Sequence, residues 1–95
     1  MKKLVWARQA QSDLARIDDQ LVVQDIDFAN RVAIAAVYAA NFLCDWPDAG
    51  SIINHRNDRK WPVKTTPYIL IYAVDSDHVR ILRVYHEQQD LRTQP

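Results

Sequence analysis

The spacing of apolar residues changes once along this chain, near its single glycine, Gly50, and that switch restricts the folds open to it more than any other feature. Before Gly50 the period is helical. Ala10, Leu14, Ile17 and Leu21 fall at spacings of four, three and four, one stripe of an amphipathic helix starting at Arg8, with Gln11, Ser12, Asp18 and Asp19 on the solvated side. Asp25 is a good N-cap for a second, alanine-rich helix whose stripe is Ala29, Val32, Ala33, Ala36, Ala40 and Leu43. These small side chains let the first helix approach closely, so the pair reads as an αα-hairpin. Pro47, within Trp46-Pro47-Asp48-Ala49-Gly50, stops the second helix, and Gly50 is expected to accept positive φ.

After Gly50 the period moves toward two. Ser51 to His55 begins a strand expected to continue past Arg56-Asn57-Asp58 to Val63, with Pro62 marking an edge or an irregularity. Lys64-Thr65-Thr66-Pro67 is a turn. Tyr68 to Val74 is almost wholly apolar and β-favouring, a central strand. After the Asp75-Ser76-Asp77-His78 turn comes a last strand, Val79 to His86. Strict alternation would put Val79, Ile81, Arg83 and Tyr85 on one face and Arg80, Leu82, Val84 and His86 on the other. Glu87 to Pro95 reads as a polar tail. With a short first strand over Lys3 to Trp6, the order is β-α-α-β-β-β. Its class is α+β: a two-helix hairpin on one face of a small, mainly antiparallel sheet.

Length and composition narrow the function. Ninety-five residues make one domain, 1–95. The longest apolar run, Val32 to Ala40, is about half of the roughly 20 residues a membrane span needs, which argues against a membrane partner. One cysteine, Cys44, cannot form an internal disulfide, and Leu4 to Ala7 is too short for a signal-peptide core, so a reduced, cytoplasmic protein is expected. A single glycine cannot build a phosphate-cradling loop, and CxxC and HExxH are missing, so neither a cofactor nor a metal site is expected. Twelve basic side chains balance twelve acidic ones. The balance is uneven along the chain: five basic and seven acidic before residue 51, seven basic and five acidic after it.

Several stretches together resemble the RelE/ParE superfamily of toxins from bacterial type II toxin–antitoxin modules. Ala10 to Ile17 is similar to the family's "A-x-x-D-L-x-x-I" first helix, and Pro47-Asp48-Ala49-Gly50 to its "P-x-x-G" turn. Arg59-Lys60-Trp61-Pro62-Val63, Pro67-Tyr68-Ile69-Leu70-Ile71-Tyr72 and Ile81-Leu82-Arg83-Val84-Tyr85-His86 are similar to its "R-x-W/L-x-V … P-Y-x-I-x-Y … I-L-R-V-x-H" signature. The Arg-Val-Tyr-His ending, with Asp90 a few residues on, resembles the ParE-like branch, whose members inhibit DNA gyrase. In the RelE-like branch, whose members cleave mRNA on the ribosome, the resemblance would place cations at the positions that here hold Ile69 and Glu87. The resemblance therefore implies the toxin of a plasmid-stabilising addiction module, acting on gyrase by protein contact and neutralised by a cognate antitoxin, as a homodimer or in a heterotetramer with that antitoxin. Two alternatives are a metal-independent, ribosome-dependent endoribonuclease, with the translating ribosome and its mRNA as partners, and an inactive member that only binds its antitoxin.

Metal-free RNA cleavage needs proton transfer to and from oxygen and cations at the phosphorane. The candidates here are His86, Arg83 and Tyr85. The surface candidates for target or partner binding are Arg59, Lys60, Trp61, Lys64, Arg83 and His86. Each also has a plain structural reading: His86 as a strand-end histidine bonded to backbone, Arg83 as an ion-pair partner, Trp61 as a packing residue.

Overall fold

The computed structural model describes residues 1–88. Most of the polar tail and Asp90 of the terminal motif lie outside the described residues. The chain runs β1 (Lys3–Trp6), α1 (Arg8–Val22), α2 (Ile26–Asp45), β2 (Ser51–Ile52), β3 (Arg59–Pro62), β4 (Tyr68–Val74) and β5 (His78–His86). The strands form one sheet in the order β1-β5-β4-β3-β2, antiparallel except where β1 runs parallel to β5. The α+β class, the helix pair and the mainly antiparallel sheet are as the sequence leads one to expect.

Asp25 caps α2, its side chain accepting the Phe28 N–H at 3.0 Å. Both helices lie against the sheet face that carries Tyr68, Leu70 and Tyr72 of β4 and Val79, Ile81 and Val84 of β5. These join Ala10 and Ile17 of α1 and Val32, Ala36, Ala40 and Leu43 of α2 in one buried cluster. Full burial of a side chain such as Leu43 or Ile81 contributes about 1.5–3 kcal/mol, so this cluster is the main source of stability. Ala33, expected in the α2 stripe, is exposed instead, and Ala39 and Cys44 are buried.

Three features depart from the sequence reading. The single strand expected over Ser51 to Val63 is two, β2 and β3, paired antiparallel as a hairpin. The Asn54 side-chain oxygen accepts the N–H groups of Arg56 and Asp58, and Asn57 takes φ 66°, so the connection turns back on itself. Gly50 does not have positive φ. A Cβ there would lie 2.5 Å from the Lys60 carbonyl oxygen and 2.7 Å from the Tyr72 hydroxyl, so glycine is required by close approach, not by backbone conformation. Finally, strict alternation along β5 fails. Ile71 pairs with Arg83 but Tyr72 with Ile81, leaving Leu82 as the extra residue of a bulge. Val79 and Ile81 therefore share the helix-side face with Val84 and His86, while Arg80, Arg83 and Tyr85 lie on the opposite, open face.

Candidate functional site

Two polar locks set the geometry of the surface. In the first, the Tyr72 hydroxyl donates to the Pro47 carbonyl at 2.7 Å and accepts the Gly50 N–H at 2.9 Å. Arg59 completes it, its guanidinium donating to the carbonyl oxygens of Gly50 at 2.6 Å and Asp48 at 3.2 Å, with the Asp48 carboxylate 3.5 Å away. The "P-x-x-G" turn, the arginine opening β3 and the second tyrosine of β4 thus form one unit that ties the end of α2 to the sheet.

The second lock is centred on Asp13, which is only 2% exposed. β1 covers the edge of β5 only as far as Ile81, whose carbonyl takes the Ala7 N–H. Beyond that point α1 replaces a strand, and the Asp13 carboxylate accepts the Val84 backbone N–H at 2.9 Å. The same carboxylate takes two bonds from Arg83, Nε at 2.8 Å and Nη2 at 3.1 Å, and one from Arg16 at 3.3 Å. Burial pushes the Asp13 carboxyl up, but the Arg83 and Val84 donors and the nearby guanidinium charges outweigh it and hold the group below its ordinary value. The Arg83 guanidinium is held above its own ordinary value, first by its hydrogen bond to Asp13.

The bulge at Leu82 precedes all three nuclease candidates, so it keeps the separation that strict alternation predicts and changes only the side of the sheet that each faces. Arg83 and Tyr85 are together on the open face, the guanidinium carbon 4.8 Å from the ring centroid. His86 is across the sheet from them, edge-on to Tyr68 with centroids 5.4 Å apart, its Nδ1 accepting the Gln88 N–H at 3.2 Å. Arg80, which strict alternation would place on the face of His86, is instead on the face of Arg83. Lys60, paired with Ile71, lies on the open face too, beside a shallow hollow that Glu87 also lines.

Trp61 and Lys64 belong to a different surface. Trp61 is stacked on Phe42 of α2, centroids 5.4 Å apart and planes 14° from parallel. The two rings form part of a groove of about 810 Å³ between α2 and the end of β3, lined further by Ile34, Tyr38, Pro62 and Lys64. Tyr38 is 74% exposed. Ile34, Tyr38 and Phe42 of α2 and Trp46 at its C-cap recur every four residues, a second apolar row beside the buried one and all of it exposed. That row and the Asp13 lock are what residue-by-residue reading missed. The row was visible as a period of four, and Asp13, three residues after Ala10 and four before Ile17, falls on the apolar stripe of α1 and is the acid of its "A-x-x-D-L-x-x-I" motif, a signal that sets it apart from the solvated Asp18 and Asp19. Among the described residues no three His, Cys, Asp or Glu side chains gather as a metal site, and no helix is long and apolar enough to cross a membrane.

A helical hairpin on a small mixed sheet, with both locks built from the signature residues, is the architecture of a RelE/ParE-type toxin. The chain belongs to the ParE toxin family of the type II toxin–antitoxin system parDE, whose sequence profile matches residues 4–91. Among solved structures it is similar to a chain of the chromosomal ParDE toxin–antitoxin system of P. aeruginosa, with a TM-score of 0.79 and 25% identity, over 90% of this chain and 96% of that one. No curated protein matches it. The protein is a ParE-like toxin of a type II module, a family that implies a cognate antitoxin as partner.

Proposed function

We propose that this toxin arrests DNA gyrase by protein contact in the cytoplasm, within an addiction module that stabilises its plasmid, and that its antitoxin neutralises it by binding the groove between α2 and β3. The observation that carries the choice of target is the separation of His86 from Arg83 and Tyr85 by the thickness of the sheet. A nuclease centre would need these groups converging on one phosphate, with cations free to stabilise its charge. Here Arg83 is already engaged by Asp13. The groove supports the antitoxin half of the reading: an exposed apolar row with a four-residue repeat suits the apolar face of an amphipathic helix.

Purified toxin should inhibit gyrase supercoiling or trap cleaved DNA on the enzyme, and should leave messages intact during translation. No effect on gyrase at stoichiometric excess, together with new 5′ ends in translated messages that disappear in His86→Ala, would replace this reading with ribosome-dependent mRNA cleavage. Unimpaired growth on expression without the antitoxin would point to an inactive member.

A further inference from the structure

The five strands carry five cations, Lys3, Arg59, Lys60, Arg80 and Arg83, and no carboxylate at all, in a chain whose net charge is zero. Arg59 is engaged by the turn after α2, on the helix side. The other four fall on the open face, through the pairings Lys60 with Ile71, Ile71 with Arg83, Ala73 with Arg80, and Arg80 with Val5, two residues from Lys3. Between them runs an apolar floor of Ile69, Ile71 and Ala73. Ile71 is 6% exposed although neither helix covers this face, and it is paired with Lys60 on one side and Arg83 on the other. Of the carboxylates nearby, Asp13 lies under Arg83 and Arg16, Asp75 accepts the N–H groups of Asp77 and His78 in its own turn, Glu87 shares a hollow with Lys60, and Asp45 and Asp77 line a hollow with Lys3. The arginine stacked on a tyrosine and the apolar floor match the arginine and aromatic anchors of a protein interface better than a phosphate-tracking groove, and the cations around them set the charge of the partner.

We propose that this open sheet face, with the exposed Lys3 and Arg80 and the half-buried Tyr85 as its contacts, is where the toxin docks on its target, and that it takes an acidic segment of the target protein. The assignment rests on the protein-contact reading above and separates the target surface from the antitoxin groove on the opposite side of the sheet. Lys3 and Arg80 are both exposed and make no core contact, so Lys3→Glu/Arg80→Glu should fold, as far-UV circular dichroism and an unchanged thermal midpoint will show. The double reversal should weaken growth arrest and gyrase inhibition at least tenfold while antitoxin affinity stays within twofold. Arg80→Ala should lose less than Arg80→Glu, and Arg56→Gln, in an exposed loop outside both surfaces, should arrest growth as the unaltered toxin does. A folded double reversal that still arrests growth fully, or one that loses antitoxin binding in parallel, overturns the proposal. Binding of the unaltered toxin to naked duplex DNA, abolished in the double reversal, overturns the acidic-protein occupant. Should the unaltered toxin arrest growth without touching gyrase, only the gyrase reading falls, and the growth-arrest comparison still judges the surface.

Discussion

Replacing Asp13 tests whether a helix side chain can stand in for a missing strand. In Asp13→Ala the buried Val84 N–H loses its acceptor on the uncovered edge of β5, which costs about 1–3 kcal/mol. The pair with Arg83 adds less, because that side chain is 33% exposed and water screens it, so about 1 kcal/mol is appropriate. The total, about 2–4 kcal/mol, is a large share of the roughly 5–15 kcal/mol that holds a domain together. At about 4–8 °C per kcal/mol for a domain of this size, the thermal midpoint should fall by at least about 8 °C. Asp13→Asn keeps an acceptor for Val84 and loses only the charge, so its loss should be smaller, about 1–2 kcal/mol. The pH dependence separates the two contributions. The folded-state pKa of Asp13 lies below its unfolded value, so its contribution is fully present above about pH 4 and is lost as pH falls toward the folded value. Urea unfolding at a series of pH values should therefore show a steeper acid limb in the unaltered protein than in Asp13→Asn. Identical acid limbs, or an alanine variant within 0.5 kcal/mol of the parent by the usual measure of a neutral surface change, would refute the reasoning.

The first lock makes two further predictions. Tyr72→Phe removes the acceptor for the Gly50 N–H and the donor to Pro47, and should cost about 1–3 kcal/mol in denaturant unfolding; Gly50→Ala should cost at least as much, because its Cβ meets backbone at 2.5 Å and cannot be relieved by a side-chain rotation. Cys44 is buried, and burial together with the neighbouring Asp45 charge pushes its thiol up, so a thiol reagent at neutral pH should label it only after denaturant unfolds the chain.

The elements legible from the residues alone were those specified by local periodicity and by capping. The stripes of α1 and α2, the Asp25 cap and the apolar run of β4 each encode their own burial within a few residues of sequence, so helices and strands came out close to where they stand. The β2–β3 hairpin did not, because Asn57 at φ 66° and the Asn54 oxygen turn the chain through contacts that a polar tripeptide does not advertise. The candidate site was legible as a set of residue types. So was the separation of His86 from Arg83 and Tyr85; the side of the sheet that each faces was not, since one inserted residue, Leu82, exchanges the faces of everything after it on β5.

What the amino-acid order settled by itself was therefore the α+β class and the order of the elements, with the family following from the signature residues, because period, caps and motifs act over distances of a turn or a strand. Which side of the sheet Arg83 and His86 face, what Asp13 is for and why residue 50 must be glycine were decided only by tertiary structure. Each depends on a partner tens of residues away, the Val84 N–H for Asp13 and the Tyr72 hydroxyl for Gly50, and such partners exist only once the helices and the sheet have closed on one another.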